Sequence, residues 1–517
     1  MKIKKIEDVT QTYSPQFADI KKWFDEKLHP DILDFNDQEV YKNVYQDGHF
    51  CATFQFTGAG AQRFIRKFKP VNLRDIAIAT SIYRPGPLAA KVDSLYLKAK
   101  ENPEEQKSKE HPAVWKALES TSGCIIFQES LLKLAVDVAG FSPDESEKVR
   151  KTILKQSISA KADNKEKREG KMRTDFIDGC IKTSGLSQNQ ASELWERILF
   201  FCGYGFNASH AFAYAIDSYY CAYLQTHFEA EWACAYLESV SSSADKLAKA
   251  ISEVKSLGFK MGKLDINLST DGWTAIPGKN TVVPSFLSCK GVGSIAIVEI
   301  LENRPYKSVF DLLWNADGTW KHSKFNKKSL ENLIKVNGLD SLDAVGPGKI
   351  FNHYRHMHQV IIENMNELKK SPKRDPQYGK RRFNELVEEF REIPDWTQQE
   401  KLEMSKELLG NFDIGLIISK EKQEFLEKKG VNAIDHLESG KDLAWFIVVE
   451  VQQKKTKNKK DYLMLRAVGD ANKTHRIFLW GAKDPEIVPI NTAYISEVEK
   501  SDFGFSTSPW KLRKIES

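Results

Sequence analysis

The octet Gly203-Tyr204-Gly205-Phe206-Asn207-Ala208-Ser209-His210 stands between two stretches with helical patterning. Residues 191–201 before it carry apolar side chains at helical spacing, and residues 211–237 after it are rich in Ala, Tyr and apolar residues. Its glycines interrupt the helix, because glycine adopts positive φ and lets another group approach the backbone. The polar side chains predict a cap on the next helix, whose N-terminus attracts anions. The octet is either an ordinary capped turn or a phosphate-binding turn.

The composition is typical of a soluble globular protein of three or four domains, with 517 residues, 41% hydrophobic and 28% charged. No apolar run approaches the ~18 residues of a membrane span, so we expect a cytoplasmic protein without membrane contact. The seven cysteines form no C-x-x-C pair, which favours reduced thiols over metal ligands. The net charge of +5 indicates nucleic acid only weakly.

Arg84 stands in the turn Tyr83-Arg84-Pro85-Gly86-Pro87. Each proline fixes its own φ, so the turn is rigid and can hold the guanidinium in one place. A phosphate clamp needs such a fixed guanidinium. The alternative is a helix end with an exposed arginine.

A basic helix is predicted after Ser142-Pro143-Asp144-Glu145, where Ser142 and Glu145 form a capping box. It carries Lys148, Lys151 and Lys155 on one face, with Arg150 beside them. Such a stripe suits a triphosphate or a DNA backbone, and equally a solvated surface. Residues 156–174 are polar and basic, which predicts a loop that orders on nucleic acid or a solvated linker.

Four motifs in order resemble the fingers of the bacterial replicative polymerase, the DNA polymerase III alpha subunit of family C. These are Phe54-Gln55-Phe56, which we predict as part of a short strand, Arg84-Pro85-Gly86-Pro87, the segment Gly123 to Glu129, and the octet followed by Ala213-Tyr214-Ala215. The resemblance covers roughly residues 40–500. Several motifs in one order are much less frequent by chance than one.

The resemblance implies a pocket for an incoming deoxynucleoside triphosphate (dNTP) and contact with primer-template DNA. Arg84, Arg150, Lys151 and Lys155 would hold the triphosphate. The base and sugar pocket would be shaped by Tyr204, Phe206, Asn207, Ser209 and His210.

Residues 290–294, Lys-Gly-Val-Gly-Ser, enter a predicted helix and resemble a helix-hairpin-helix element, whose N–H groups hold a DNA phosphate without reading sequence. The DNA-binding residues would be Lys290, Gly291, Gly293 and Ser294. Short strands are predicted before it, at 264–267, 273–276 and 282–287, and 325–339 resembles a second hairpin element more loosely. The resemblance implies a sliding clamp as a further partner, but residues 346–405 show no convincing clamp motif.

The C-terminal part contains strand-like stretches at residues 446–451, 462–467 and 476–480. Between the first two lies a basic tip with Lys454, Lys455, Lys457, Lys459 and Lys460. With Tyr462, Phe478 and Trp480, this pattern suits an OB-fold that stacks bases and follows a single-stranded backbone. The alternative is a small β-barrel with a solvated tip and buried aromatics.

The sequence thus predicts a multidomain α+β chain. Its expected parts are an N-terminal segment (1–45), a helical fingers-like domain (46–255), a tandem helix-hairpin-helix region (256–345), a charged helical region (346–440) and an OB-like β-barrel (441–517).

Polymerases hold two divalent metal ions with acidic side chains, and in family C these lie in the palm, two of them as Asp-x-Asp. This chain contains no Asp-x-Asp. We therefore assign no catalytic residue and no metal ligand to it, and expect Mg²⁺ only in an enzyme assembled with a palm-bearing subunit. A truncated chain and a polymerase encoded in two pieces both fit, and we prefer a split viral replicase. The alternative function is a non-catalytic DNA-binding accessory protein.

Overall fold

The computed structural model describes residues 17–156, 165–202, 205–371, 373, 375–410, 414–437, 440–456, 458–470, 473–501 and 503–515. These residues divide into two compact units. The first unit spans residues 29–229, and the second contains residues 230–517 together with helix α1 (Phe17–Lys27).

The first unit is helical. Its helices are α2 (Gln38–Val40), α3 (Ala59–Phe68), α4 (Leu73–Ile82), α5 (Pro85–Ala89), α6 (Val92–Glu101), α7 (Pro103–Lys109), α8 (Pro112–Leu118), α9 (Gln128–Lys133), α10 (Pro143–Gln156), α11 (Lys165–Ser184), α12 (Gln188–Cys202) and α13 (Ala208–His227). One core lies where α4 packs against α13, whose Ala211, Ala215 and Ala222 are fully buried. Small side chains on α13 allow the close approach of a helix as apolar as α4.

A second core of the first unit joins α8, α9, α11 and α12. Leu134, Phe176 and Ile198 are fully buried in it, and Trp195 packs on Phe176 with ring centroids 5.3 Å apart. These helices therefore form a rigid support for the segment 123–129 that runs between α8 and α9.

Two local predictions for the first unit are wrong. Thr53 to Phe56 form a turn instead of a strand, because Gln55 has φ of 67° and cannot continue an extended pairing. Of the loop predicted at residues 156–174, Gln156 ends α10 and residues 165–174 belong to α11, whereas residues 157–164 lie outside the described residues. The capping box is confirmed, since Glu145 Oε2 accepts the N–H of Ser142 at 2.9 Å and the N–H of Glu145 donates to Ser142 Oγ at 3.3 Å.

The second unit combines helices with two sheets. Its helices after α1 are α14 (Glu229–Val240), α15 (Ala244–Ser256), α16 (Ser294–Asn303), α17 (Val309–Leu313), α18 (Lys327–Lys335), α19 (Tyr354–His358), α20 (Met365–Leu368), α21 (Tyr378–Glu389), α22 (Gln398–Leu409) and α23 (Lys420–Lys428). Helices α16 to α22 share one large core. Phe383 lies at its centre, in edge-to-face contact with Trp314 at 5.6 Å and Phe351 at 5.7 Å between ring centroids.

The small sheet has the order β1-β3-β2, with β1 (Lys260–Met261), β2 (Thr274–Ala275) and β3 (Thr281–Val283). The strands predicted at 273–276 and 282–287 are thus shorter than expected. The strand predicted at 264–267 is wrong, because the N–H of Asn267 donates to Asp265 Oδ1 at 2.8 Å and closes a turn there.

The larger sheet contains β4 (Asn432–Ala433), β5 (Lys441–Lys455), β6 (Asp461–Val468), β7 (Thr474–Trp480), β8 (Thr492–Ser501), β9 (Gly504–Thr507) and β10 (Arg513–Lys514). Their order is β10-β8-β9-β7-β6-β5-β4, and β5 also pairs with β8. Hydrogen-bonded neighbours therefore lead from β5 through β6, β7, β9 and β8 back to β5. The β7–β9 pair is parallel, whereas the other four pairs of this circuit are antiparallel. The predicted α+β class and the three C-terminal strands are confirmed.

None of the helices in the described ranges is long and apolar enough to cross a bilayer.

A contact between a histidine and an aspartate in the second unit is expected to depend on pH. His436 Nε2 lies 2.9 Å from Asp470 Oδ1, and Lys255 Nζ reaches the same carboxylate at 3.1 Å. The hydrogen bond to Asp470 raises the pKa of His436. A raised histidine pKa adds stability that is complete below the unfolded pKa and is lost as pH rises through the folded pKa.

We therefore expect the free energy of unfolding to fall by less than ~1 kcal/mol between about pH 6 and 8, because the pair is partly exposed. His436→Gln should remove this pH dependence, whereas His29→Gln in the first unit should not. Urea unfolding at several pH values checks this, and an unaltered pH profile in His436→Gln would contradict it.

Candidate nucleotide and nucleic-acid sites

Arg84 and Phe206 come together although 121 residues separate them along the chain. The Arg84 guanidinium carbon lies 4.3 Å from the centroid of the Phe206 ring, a cation–π distance. Arg84 Nε also donates to the carbonyl of Ser81 at 2.8 Å. Partial burial lowers the pKa of Arg84, yet the group keeps its charge at neutral pH. The guanidinium is therefore held in place from two sides.

The second half of the octet pairs with the segment before α9. The N–H of Gln128 donates to the carbonyl of Phe206 at 2.9 Å, and the N–H of Phe206 approaches the carbonyl of Ile126 at 3.5 Å. Gly205 is required for space, since a Cβ there would lie 2.9 Å from the Phe201 ring. Ile126 and Gln128 thus fix Phe206 beneath Arg84.

The N-terminus of α13 is capped from within the chain. Asn207 Oδ1 accepts the N–H of His210 at 3.0 Å, as the sequence predicts, and Ser209 Oγ donates to the same oxygen at 2.6 Å. Glu129 supplies a second cap, because its carboxylate accepts the N–H of Ala208 at 2.8 Å and Asn207 Nδ2 at 2.9 Å. A carboxylate therefore occupies the N-terminus of α13, for which the sequence left open an ordinary capped turn or a phosphate-binding turn.

Arg150 joins this arrangement through Gln128. Its Nη1 donates to Gln128 Oε1 at 2.9 Å, while Nε and Nη2 donate to Glu147 at 2.8 and 2.6 Å. Lys151 Nζ lies 3.4 Å from the same Glu147 carboxylate. These hydrogen bonds, that of Arg150 above all, lower the pKa of Glu147 to about 2. Lys155 lies on α10, but its side chain and Tyr204 are outside the described residues.

An aromatic row continues from Phe206 along the first turns of α13. His210 lies 5.2 Å from Phe206 and 4.3 Å from Tyr214 between ring centroids, and Tyr214 stacks on Phe54 at 5.2 Å. The row makes an apolar and weakly basic wall next to Arg84. Sequence reasoning missed Gln128, Glu129, Glu147 and Tyr214, although the first two lie within the quoted segment 123–129.

The hairpin at residues 290–294 is held by the helices behind it. Ser329 Oγ donates to the carbonyl of Gly291 at 2.9 Å, and Asn332 Nδ2 donates to the carbonyl of Lys290 at 2.6 Å. Gly293 caps α16 without a side-chain hydrogen bond, and Lys290, Gly293 and Ser294 are exposed. The first backbone N–H groups of α16 therefore face solvent, as a phosphate contact requires.

The two hairpin glycines offer a matched test. Gly291 has φ of 81° and a Cβ there would lie 2.6 Å from Asn332 Nδ2, whereas nothing lies within 4 Å of a Cβ at Gly293. We expect Gly291→Ala to destabilise the second unit by about 1–3 kcal/mol and to weaken DNA binding. Gly293→Ala should change stability by less than ~1 kcal/mol. Thermal unfolding and DNA titration of both variants check this, and equal effects would contradict it.

The basic tip joins β5 and β6. Lys454 and Lys455 end β5, Lys459 and Lys460 precede β6, and Lys457 lies outside the described residues. Lys454 pairs across the strands with Tyr462, and Tyr462 pairs with Trp480, so these three side chains share one face. Phe478 lies parallel to Trp480 at 5.7 Å between ring centroids, and Trp480 is 44% exposed. Aromatic rings beside lysines suit stacking on bases.

Three described side chains could hold a cation, namely Asp37, Glu39 and His227, whose ligand atoms lie within 4.8 Å of one another. His227 Nε2 already lies 2.8 Å from Asp37 Oδ2, at the C-terminal end of α13 where a positive imidazole is favoured. An imidazole suits Zn²⁺ or Mn²⁺ more than Mg²⁺. This mixed donor set therefore suits Zn²⁺ or Mn²⁺ better than Mg²⁺.

Two regions of the chain match known protein families, and curated proteins match most of its length. Residues 6–180 match the family described as "Bacterial DNA polymerase III alpha subunit finger domain", and residues 258–345 match the family described as "Helix-hairpin-helix motif". The DNA polymerase III subunit alpha of Campylobacter jejuni is 30% identical over 439 residues, which are 81% of this chain and 34% of that protein. The DNA polymerase III subunit alpha of Aquifex aeolicus is 29% identical over 435 residues, which are 83% of this chain and 34% of that protein. That of Helicobacter pylori is 32% identical over 322 residues, 60% and 25% respectively.

The matched regions are a fingers domain of the DNA polymerase III alpha type and a helix-hairpin-helix motif. The chain belongs to family C, the family of the bacterial DNA polymerase III alpha subunit. It spans about a third of the length of the first two curated relatives given above and a quarter of the third.

Proposed function

We propose that this chain supplies the dNTP-binding fingers and the DNA-binding modules of a replicative DNA-directed DNA polymerase, and that a separate palm-bearing subunit supplies the catalytic carboxylates. Arg84 held on Phe206 is the observation that supports the proposal most strongly, since it presents a fixed guanidinium beside an aromatic wall. A guanidinium in that setting binds phosphate oxygens in pairs, and a planar wall accepts a base or sugar.

Arg150 would complete the triphosphate site. In the structure Arg150 is paired with Glu147 and Gln128. A bound triphosphate would take the place of the Glu147 carboxylate on Arg150, because its oxygens carry the same sign of charge. Lys151, which also lies near Glu147, would likewise exchange this carboxylate for the triphosphate. Asn207, Ser209 and His210 would shape the sugar side from the start of α13.

The second unit would hold DNA at two places. The hairpin at residues 290–294 would bind a phosphate through the N-terminus of α16, independent of sequence. The circuit β5-β6-β7-β9-β8, with a parallel β7–β9 pair, supports an OB-fold that would hold single-stranded DNA on the face of Tyr462 and Trp480.

Mg²⁺ would be bound in the palm, where two ions align the primer hydroxyl with the α-phosphate and stabilise the leaving pyrophosphate. The enzyme would act in a bacterial or host cytoplasm. A sliding clamp is a further partner, and a virus that encodes its polymerase in two pieces is our preferred source.

Primer extension tests the proposal. The chain is assayed alone and mixed with whatever protein co-purifies with it or is encoded beside it, with Mg²⁺, dNTPs and a primed template. Extension only in the mixture supports the proposal. Extension by neither preparation, with firm DNA binding by this chain, supports the alternative of a non-catalytic accessory protein. The paired Arg84 and Phe206 favour the first function, because an accessory protein needs no nucleotide pocket.

A further inference from the structure

A cavity of about 870 Å³ lies within the first unit. Its wall includes Ile82, Leu95, Ala99, Trp115 and Phe200. Leu95 and Phe200 are 58% and 53% exposed, so the cavity has an apolar rim that faces solvent. Its volume lies within the range of about 300–1,000 Å³ that drug-sized ligands occupy.

The polar groups of this cavity are balanced. Arg197 Nη1 pairs with Glu110 at 2.6 Å, and its Nη2 donates to the carbonyl of Gly123 at 3.0 Å. Burial raises the pKa of the Cys124 thiol to about 11, so this wall is uncharged there at neutral pH. The charged lining residues are two cations and three carboxylates: Lys98, Arg197, Glu110, Glu193 and Glu196. Of these carboxylates, Glu196 also pairs with Arg173 outside the lining at 3.6 Å, so an anionic ligand such as a nucleotide gains no net attraction from the lining charges.

The cavity is separate from the nucleotide site but shares its backbone. Among the described nucleotide-site residues, none lines the cavity. Ser81, Ile126 and Phe201 do line it, and each contacts a residue of that site. The Ser81 carbonyl accepts Arg84 Nε, the Ile126 carbonyl faces the Phe206 N–H, and the Phe201 ring packs on Gly205.

We propose that this cavity is a second ligand site, which binds uncharged, flat aromatic compounds. The aromatic rings of Trp115, Phe200 and Phe201 supply the apolar contact area, and the paired Arg197 and Glu110 offer a polar edge without net charge. The site goes beyond the proposed function, because its ligand is neither dNTP nor DNA.

The test uses the full chain and two matched probes, 2-phenylquinoline-4-carboxamide and the corresponding carboxylate. Titration calorimetry and ligand-observed NMR should give one site for the neutral amide, with Kd on the order of 0.1 mM. The carboxylate should bind at least roughly tenfold more weakly, because its charge would lose water in the cavity without gaining a net positive lining. Equal binding of both probes, or no binding of the amide, would overturn the proposal.

Variants locate the bound probe. Ala99→Phe fills the cavity and Leu95→Glu adds a charge at its exposed rim, so each should raise the Kd of the amide at least roughly tenfold. Val71→Phe, at an exposed site that does not line the cavity, should leave the Kd of the amide unchanged. Arg84→Ala and the addition of saturating dATP should also leave this Kd unchanged. Loss of amide binding in Arg84→Ala, or displacement by dATP, would place the probe in the nucleotide pocket and refute a second site. Leu95→Glu keeps the test valid if Ala99→Phe does not fold, since Leu95 is on the surface.

Discussion

Arg84→Ala should lower kcat/KM for dNTP in the assembled polymerase by about 10²-fold, since two charge-assisted hydrogen bonds to phosphate contribute about 3 kcal/mol. The loss should appear mainly as a higher KM if Arg84 holds the triphosphate equally in the ground and transition states. Its affinity for primer-template DNA should hardly change. Steady-state extension at varied dNTP concentration and fluorescence anisotropy with labelled DNA measure the two quantities.

Two further substitutions sharpen this expectation. Arg84→Lys should recover little of the loss, because an ammonium group cannot offer paired N–H donors or stack on Phe206 as a guanidinium does. Arg63→Ala removes an exposed arginine from the same unit and should leave both quantities unchanged. A large loss of DNA affinity in Arg84→Ala would instead place Arg84 on the DNA, and an unchanged kcat/KM for dNTP would remove it from the nucleotide site.

The sequence predicted those elements whose signals are local. The helical spacing of apolar residues at 191–201 was visible, and these residues lie within α12. The Ser142–Glu145 capping box and the strands β5, β6 and β7 were likewise visible, since each depends on neighbouring residues or on alternation within one strand.

What the sequence could not show are contacts between distant segments. Glu129 caps α13 from 79 residues away in sequence, and the stack of Arg84 on Phe206 spans more still. Neither has a local signature, because each depends on how α9, α12 and α13 pack. The wrong strand at Thr53 to Phe56 has a related cause, since the positive φ of Gln55 is imposed by its surroundings and not by its own preference.

The proposed nucleotide site already contains two internal carboxylates that bind its polar groups. Glu129 holds the N-terminus of α13 and Glu147 holds Arg150, so the polar groups expected to meet a triphosphate already have partners. Such pairing keeps partly buried charges satisfied in the absence of nucleotide. The two carboxylates also differ in what they neutralise. Glu129 neutralises the N-terminus of a helix, whereas Glu147 neutralises the side chain of Arg150, which can turn toward another anion.

Replacing Lys454, Lys455, Lys459 and Lys460 with Ala should flatten the salt dependence of binding to single-stranded DNA. Each lost phosphate contact lowers the slope of log K against log salt concentration by about 0.7–1, so the four lysines together account for roughly three to four units. Adding Lys457→Ala should extend the effect. Residual binding should remain, because Tyr462 and Trp480 still offer rings on which bases can stack.

A control variant distinguishes this surface from net charge alone. Replacing Lys420, Lys422, Lys428 and Lys429, which lie on and next to α23 in the same unit, removes the same total charge. Its slope should stay within about one unit of the original, since only contacts that displace counterions enter the slope. Equal slopes in both variants would move the DNA path away from the β5–β6 tip. A decrease in slope confined to the tip variant would place the DNA backbone there. If Trp480→Ala then lowers the affinity without changing the slope, contacts to the backbone and stacking of bases are two separate contributions from the same face.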